Sequence, residues 1–334
     1  MDPQHFEIGA HSSAGPRHHN EDCYLVDREL GLVIVADGVG GHAGGEVASQ
    51  ITCETLQREV AAGQTLEEAI LSANREVFSA VSAGRGKRGM ASTVVALLLR
   101  GQDYELAWVG DSRAYLWHTQ LSLVTRDHSY VEAQLARGII TREEARSHPR
   151  RHVILQAVGL NDDDELEIGS NRGQLHPGGA LLLCSDGVSD TMDARRLALV
   201  LGRPAAAPES CERLVEQSIE HGGKDNSTAV LIRRNDRDNG GAGTSSAESA
   251  VWVYDPDTDD RDAALAGPAG DTQATDEVTG ISAGPEVEGI PAPSTANRGP
   301  PHSPAGTPRH SRLPLAATVL VLAGLALVAA LLLA

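Results

Sequence analysis

Short apolar runs separated by polar turns recur along the first 234 residues, and their length predicts strands rather than helices. Each run has four to six residues and is flanked on at least one side by glycine, aspartate or arginine, a pattern typical of buried or half-buried strands. The predicted strands cover residues 23–26, 32–36, 94–99, 105–109, 114–117, 180–184 and 229–232.

Apolar positions spaced three and four residues apart predict five amphipathic helices, at residues 45–61, 66–82, 130–137, 195–201 and 209–221. Two of these helices follow the first strands directly, and a meander of strands comes before the next helix. Because strands and helices do not alternate strictly, the pattern does not fit a doubly wound parallel sheet. It predicts the α+β class, with antiparallel sheets covered by helices.

The composition changes after residue 234. Residues 235–311 contain 13 acidic and 4 basic residues, a net charge of −9, which is half of the formal −18 of the whole chain. The segment is rich in Gly, Pro, Ala, Ser and Thr, so it has too little apolar surface to offset the entropy lost on ordering. We therefore expect a disordered acidic linker over 235–311.

A long apolar segment follows the linker. Residues 315–334 carry no charge, and a helix of that length spans the roughly 30 Å of hydrocarbon in a bilayer. Arg309 and Arg312 precede it, so the positive-inside rule places the folded part in the cytoplasm. The alternative is a buried core helix. We expect a single transmembrane helix at 312–334 that anchors the chain to the membrane.

Charge and cysteine content limit the partners and the compartment of the folded part. Residues 1–234 carry 33 acidic and 23 basic residues, a net charge of −10, which argues against nucleic acid as a partner. The four cysteines show no paired spacing, so they fit reduced thiols in a cytosolic fold. Core packing is their expected role.

Acidic residues recur where a predicted strand meets a turn. They are Asp37, Asp111, Asp186 and Asp225, with Glu21 and Asp22 just before another strand. A single aspartate at such a position is usually a turn or helix cap. If these strand ends converge, however, the like charges repel and bound cations must stabilise them. Ligands that are all oxygen favour Mg²⁺ or Mn²⁺.

Two neighbouring features bear on the chemistry of this predicted cluster. The glycines after Asp37 match a dinucleotide-binding fingerprint, but the Asp37 carboxylate would face the pyrophosphate, so that interpretation is disfavoured. Arg17 lies four residues before Glu21, where it could pair with an acid or grip a phosphate through two hydrogen bonds. Two hard metals with an arginine indicate hydrolytic phosphoryl transfer, in which a bridging water attacks phosphorus in line.

Seven stretches between about residue 5 and residue 234 together carry a resemblance to a known family. They are RHHNED, VADGVGGHAGGEVAS, GMASTVVALLL, WVGDSRAYLW, VTRDHSYVEAQLARGIITREEARSHPRRHVILQAVG, LLLCSDGVSD and GGKDNSTAVLI. In content and in order they resemble the metal-dependent serine/threonine protein phosphatases (the PPM family, type 2C) in their short bacterial form. The resemblance implies a four-layer αββα sandwich with two central antiparallel sheets.

The resemblance also implies a role for each metal-binding position. Asp37 matches the acid that bridges two metals, and the Gly38 carbonyl matches a ligand of the second. Asp186 and Asp225 match ligands of the first metal. Asp111 matches the acid that, with Asp186, binds a weaker third metal in bacterial members.

Further matches concern the phosphate and the metal-bound waters. Glu21 and Asp22 match acids that hold such waters, and Arg17 matches the phosphate-binding arginine. Many eukaryotic members have a histidine directly after the DG pair, proposed as a general acid, and this chain has Val39 there. His42 could replace it, as could a metal-bound water, although a role in shaping the loop is favoured for His42. Residues 130–152 match a mobile flap that influences substrate choice.

The sequence therefore predicts a catalytic domain at 1–234, a linker at 235–311 and a membrane helix at 312–334. The expected activity is Mg²⁺- or Mn²⁺-dependent hydrolysis of phosphoserine and phosphothreonine in phosphorylated proteins. The expected setting is a bacterial inner membrane, where the enzyme opposes a Ser/Thr kinase. The alternatives are a catalytically silent phosphoprotein-binding scaffold and a regulatory phosphatase dedicated to one partner.

Overall fold

The computed structural model describes residues 1, 5–40, 44–235 and 252–253. In these residues the strands are β1 (Phe6–Ser13), β2 (Asp22–Asp27), β3 (Leu32–Val39), β4 (Ala91–Ser92), β5 (Val94–Arg100), β6 (Asp103–Val109), β7 (Arg113–Trp117), β8 (Gln120–Leu123), β9 (Gly169–Gln174), β10 (Ala180–Cys184), β11 (Ser227–Arg234) and β12 (Trp252–Val253). The helices are α1 (Gly44–Ala61), α2 (Leu66–Ser82), α3 (Tyr130–Ala136), α4 (Arg142–Arg146), α5 (Asp186–Ser189), α6 (Ala194–Leu201) and α7 (Ala207–Glu220).

The strands form two six-stranded sheets. One has the order β1-β11-β10-β7-β8-β12, and the other has the order β2-β3-β5-β6-β9 with β4 paired to β3. Neighbouring strands are antiparallel except for the short β12, which runs parallel to β8. The α+β class and the two antiparallel sheets expected from the sequence are confirmed.

Three apolar cores separate four layers. In the first core, α1 and α2 pack on one face of the β2–β9 sheet. In the second, residues of the two sheets pack on each other, among them Val35, Leu97, Leu106 and Leu183. In the third, α6 and α7 pack on the outer face of the other sheet. The helix–sheet–sheet–helix arrangement follows, because each sheet has two apolar faces to bury.

The spacing of apolar residues along α2 explains how this helix packs in its layer. Leu66, Ala69, Ile70, Ala73 and Val77 are buried, and residues three and four apart lie on one face of a helix. At the N-terminus, the Thr65 hydroxyl accepts a hydrogen bond from the Glu68 backbone amide, and the Glu68 side chain accepts one from Thr65. This capping box fixes where the helix begins.

Several strands and short helices were not predicted from the sequence, namely β1, β4, β8, β9, β12, α4 and α5. Strand β9 contains no apolar residue in GSNRGQ, yet it pairs with β6 along its whole length. A Cβ atom at Gly169 would lie 2.2 Å from the Trp108 ring, and one at Gly173 would lie 2.6 Å from the Tyr104 hydroxyl. Two aromatic side chains of β6 therefore cover the glycines of β9, a contact that hydrophobic periodicity does not reveal.

The predicted linker and membrane helix, at 235–311 and 312–334, lie outside the described residues apart from residues 235 and 252–253. Among the described residues, none of the helices has the length and apolar character needed to cross a membrane.

We expect Leu106→Ala to destabilise the fold strongly. Leu106 is fully buried between the sheets and lies directly across from Leu97, so truncation leaves a cavity that costs about 2–5 kcal/mol. Leu199→Ala on α6 is the matched control, because that side chain is 49% exposed and should cost no more than about 0.5 kcal/mol. Urea unfolding measures both, and equal losses would contradict the layer assignment.

Candidate metal centre

The acidic residues predicted at strand ends come together at one end of the two sheets. Asp22 begins β2 and pairs directly with Asp37 near the end of β3. Asp186 follows β10 and begins α5, Asp225 lies just before β11, and Asp111 lies in the turn between β6 and β7. Each sheet therefore supplies carboxylates to the same region.

The pKa of Asp37 reflects the acids around it. Burial raises the pKa of Asp37 well above its ordinary value, and the neighbouring carboxylates of Asp22, Asp186, Asp111 and Asp225 raise it further. An acid responds in this way when like charges lie close to it in a poorly solvated site. The convergence expected from the sequence is present, since Asp37, Asp111, Asp186 and Asp225 line one cleft.

Asp22 is held by the other sheet. Its Oδ2 atom accepts hydrogen bonds from Ser185 Oγ at 2.8 Å and Thr228 Oγ1 at 2.6 Å. Burial nevertheless raises the pKa of Asp22 to about 6, against the opposing effect of those two hydrogen bonds. The two hydroxyl donors thus fix Asp22 across the gap between the sheets while its Oδ1 atom lacks a hydrogen-bond partner.

A second group of acids surrounds Asp186. Burial, then Asp111 and Asp190, raises the pKa of Asp186 well above its ordinary value. Burial followed by Asp127 raises the pKa of Asp111 to about 7, although the Arg113 guanidinium opposes the shift. That guanidinium is itself held by Asp127, with Nη2 and Oδ2 at 2.7 Å. The Asp186 Oδ1 atom, like that of Asp22, is buried without a partner.

The donor set fits hard divalent cations. The clustered side chains present carboxylate oxygens, and two buried oxygens have no hydrogen-bond partner. Buried polar atoms are normally satisfied, and repulsion among carboxylates is relieved by a cation that binds them. Oxygen ligands of this kind suit Mg²⁺ and Mn²⁺. The metal-ligand roles predicted for Asp37, Gly38, Asp186, Asp225 and Asp111 stay predictions, and all five positions line the same cleft.

Two further residues adjoin this cluster and were not predicted as site residues. His152 Nδ1 lies 3.0 Å from Asp190 Oδ2. One nitrogen or oxygen atom from each of His152, Asp190 and Asp186 lies within 4.8 Å of the other two. Asp190 follows Asp186 by four residues, the spacing that places two side chains on one helix face. That spacing was the available sequence signal for Asp190, whereas His152 reaches the cluster from a distant segment.

Gly38 is required by packing around the end of β3. A Cβ atom there would lie 2.1 Å from the Gly45 carbonyl oxygen and 2.7 Å from the Glu21 carbonyl oxygen. The Gly38 amide donates a hydrogen bond to that same Glu21 carbonyl at 3.1 Å. From the sequence, this glycine is predicted to present its carbonyl to a metal. The structure shows an independent steric reason, close contact with the start of α1.

Arg17 lies at the mouth of the cleft. Its Nη2 atom is 2.8 Å from Asp225 Oδ2 and its Nε donates to the Lys224 carbonyl at 2.8 Å. The side chain is 54% exposed, so one acid and one carbonyl orient a guanidinium that remains accessible to a ligand. An ion pair with an acid and a contact with phosphate both fit this position of Arg17, because an ion-paired arginine at the rim can also contact a phosphate.

Asn226 organises the loop that carries Arg17 and was missed by the sequence analysis. Its side-chain amide donates to the Ala14 and His19 carbonyls at 3.1 and 2.9 Å, and its Oδ1 atom accepts from the Glu21 amide at 2.8 Å. The residue is nearly fully buried. One side chain therefore joins the Arg17 loop to the beginning of β2.

The cleft has a volume of about 2400 Å³ and is bordered by the predicted flap at 130–152. Helices α3 and α4 form most of the flap, and the Tyr130 amide bonds the Val153 carbonyl at its base, at 2.8 Å. Val39, the residue at the position of the family's histidine, lines the cleft and is 42% exposed. His42, for which a role in shaping the loop was favoured over that of a replacement acid, lies outside the described residues.

We expect the metal-free protein to lose stability as pH rises. Folded Asp22 and Asp111 keep their protons up to pKa values of about 6 and about 7, whereas an ordinary aspartate releases its proton near 3.8. The native state therefore binds more protons across that range, so its free energy of unfolding falls with increasing pH. Thermal unfolding in EDTA measures this slope, and added Mn²⁺ should stabilise the protein most at the upper end.

Asp111→Asn should flatten that slope because it removes one titrating group. Asp103→Asn is the control, since Asp103 is exposed on the first position of β6. A melting temperature in EDTA that stays level or rises between pH 4 and 7 would contradict the electrostatic account.

A family model described as Protein phosphatase 2C matches residues 11–229. The serine/threonine phosphatase stp of Listeria innocua is 32% identical over 233 residues, which cover 66% of this chain and 92% of that protein. The serine/threonine protein phosphatase PstP of Mycobacterium tuberculosis is 35% identical over 231 residues, which cover 67% of this chain and 44% of PstP.

A solved structure shows the same fold. The catalytic domain of the serine threonine protein phosphatase PstP, in complex with two manganese ions, matches with a TM-score of 0.62 and 32% identity. The match covers 70% of this chain and 99% of that one. The resemblance stated from the sequence is confirmed: this chain belongs to the protein phosphatase 2C family.

Proposed function

We propose that this protein is a metal-dependent phosphatase that removes phosphate from serine and threonine residues of phosphorylated proteins. The observation that carries the proposal is the convergence of five acids, Asp22, Asp37, Asp111, Asp186 and Asp225. Two of their buried oxygens, Asp22 Oδ1 and Asp186 Oδ1, have no hydrogen-bond partner. Such a cluster is costly unless cations occupy it. Membership in a phosphatase family supplies the reaction class.

The residues that hold the ions in this proposal are those singled out from the sequence. Asp37 would serve two ions, the Gly38 carbonyl would help to hold one of them, Asp186 and Asp225 would hold the other, and Asp111 with Asp186 would hold a third. The manganese bound to PstP supports this choice of Mg²⁺ or Mn²⁺. Bound ions of this kind acidify a water and offset the negative charge of a phosphoryl group.

In this proposal, side chains of the protein bind and orient the substrate. Arg17 contacts phosphate oxygens from the cleft mouth, where Asp225 and the Lys224 carbonyl set the direction of its guanidinium. Two parallel hydrogen bonds from one planar guanidinium fix both the position and the rotation of a phosphate. Glu21 and Asp22 would hold waters of the bound ions, and Asp22 keeps its place through hydrogen bonds from Ser185 and Thr228.

The flap contributes to substrate choice in this proposal. Arg142, Arg146 and Arg151 of the flap line the cleft, and guanidinium groups attract phosphate and acidic side chains. A phosphoprotein segment with acidic residues near the phosphorylated side chain therefore fits this border of the cleft.

We expect the protein to release phosphate from a phosphothreonine peptide when Mn²⁺ is present, and we expect this release to stop when EDTA is added. Asp37→Asn should lower kcat by roughly two to three orders of magnitude, the range seen when one group that stabilises transition-state charge is removed. Asp103→Asn should leave turnover unchanged. Phosphate release measured over time checks all three.

The scaffold alternative predicts a different result. A protein that binds the phosphopeptide but releases no phosphate under any divalent metal would be a phosphoprotein-binding module. Activity on a single partner and on no phosphoserine or phosphothreonine peptide would indicate the dedicated regulatory phosphatase.

We also propose that the enzyme acts at a bacterial inner membrane, with its catalytic domain in the cytoplasm, and opposes a Ser/Thr kinase there. The support is the uncharged run at 315–334, preceded by Arg309 and Arg312, and the acidic stretch at 235–311 that would serve as a tether. A tether of that length restricts the catalytic domain to a small volume near the bilayer, which raises its effective concentration toward substrates there.

We expect the full chain to fractionate with membranes and a chain that ends at Arg312 to become soluble. Carbonate washing should leave the full chain in the pellet, because a helix that spans hydrocarbon is not held by charge. Persistence of the shortened chain in the pellet would show that residues 313–334 are not its sole anchor.

A further inference from the structure

Helix α1 runs along strand β2 and contacts it at regular intervals. Ser49 Oγ donates to the Glu21 carbonyl at 2.6 Å, and two helical turns later Gln57 Nε2 donates to Asp27 Oδ2 at 2.8 Å. Residues four apart lie above one another on a helix. Cys53, midway between Ser49 and Gln57, therefore faces β2 from the same side of α1.

Cys23 is the residue of β2 that meets Cys53. It precedes Asp27 by four positions, so both side chains lie on the face of β2 that α1 contacts. Cys23 packs against the core cluster to which Cys53 belongs. The neighbouring thiol is the largest influence on the pKa of each cysteine, and it lowers that of Cys23 and raises that of Cys53. The bonds on either side and the shared cluster therefore make the two cysteines neighbours, although thirty residues separate them in the chain.

The two thiols differ in access to solvent. Cys23 is half-buried and Cys53 is 1% exposed, so a small oxidant reaches the first and not the second. Cys184 and Cys211 lie on β10 and α7, in the core of the other sheet, and burial raises the pKa of each to about 12. A nucleophilic thiol beside a second thiol is the arrangement that converts an oxidised cysteine into a disulfide.

We propose that Cys23 and Cys53 form a reversible redox site in which a hydroperoxide oxidises Cys23 and Cys53 then closes an intramolecular disulfide. The Cys23 sulfur attacks the peroxide, the O–O bond breaks, and one alcohol or water leaves as a sulfenic acid forms. The Cys53 sulfur next attacks Cys23, the S–O bond breaks, and water leaves. The two thiols lose two electrons, which the peroxide gains, and an external dithiol reverses the reaction.

The bond acts on the metal centre through β2. Cys23 adjoins Asp22 and pairs across the ladder with Ala36, the neighbour of Asp37. A disulfide holds its sulfur atoms at about 2.05 Å, closer than two thiols in contact, so closure draws α1 and β2 together beside Asp22. The expected consequence is a several-fold loss of turnover that a dithiol restores, and this consequence rests on the proposed phosphatase activity.

Peptide mapping of the full chain tests the site without reference to activity. After hydrogen peroxide treatment, trypsin should yield residues 18–28 linked to residues 29–58, the fragments that contain Cys23 and Cys53. The linked species should weigh two hydrogen atoms less than its parts and separate on addition of dithiothreitol. Cys53→Ser should instead leave a Cys23 sulfenic acid that dimedone traps, and the control Cys211→Ser should form the link normally.

Turnover is measured on the same samples. Peroxide should lower phosphate release by the native protein and by Cys211→Ser, and should spare Cys23→Ser. Absence of the linked peptide, or a link only between two chains, would overturn the proposed site. A complete link with unchanged turnover would overturn its effect on the metal centre. If the protein releases no phosphate in any state, the proposed function fails while the mapping still decides whether the site exists.

Discussion

Five carboxylate side chains lie together at one end of the two sheets, and the repulsion among them is the force that the surrounding fold must hold in check. Burial raises the pKa of several of them, so the folded chain pays a free-energy cost for each charge it keeps there. Cations lower that cost, but only if the acids are already in place when the ions arrive. The hydroxyls of Ser185 and Thr228 meet this requirement, because they fix Asp22 from the opposite sheet.

The sheets supply the rest of the rigidity. Asp22 and Asp37 are neighbours in an antiparallel ladder, so the separation of their Cα atoms is set by the backbone pairing of the two strands. The close contact of Gly38 with Gly45 then brings the start of α1 against the same strand end. Asn226 joins the Arg17 loop to β2. Binding groups that belong to strands and short connections hold their geometry better than groups on long loops.

The sequence predicted the parts of the fold that bury apolar side chains. The strand at 94–99 and the helix at 66–82 appear almost as expected, because burial imposes their periodicity. Strand β9 was missed because its residues are all polar or glycine and its pairing depends on Trp108 and Tyr104 of a neighbour.

The same limit applies to the site. Acids at strand ends could be found because their position relative to each strand is a local pattern. Other features join segments that are distant in sequence, namely Asn226, His152 and the Cys23–Cys53 pair. Only packing brings them together, so no single stretch of the chain reveals them.

Strand β9 also has a consequence for how copies of this chain meet. It is the last strand of its sheet, and exposed polar side chains alternate along it at Ser170, Arg172 and Gln174. An open strand edge invites pairing with another chain, and charge with little apolar surface discourages it. Crowded molecules of this protein would find no apolar ridge along β9, so this edge of the sheet discourages self-association at high local density.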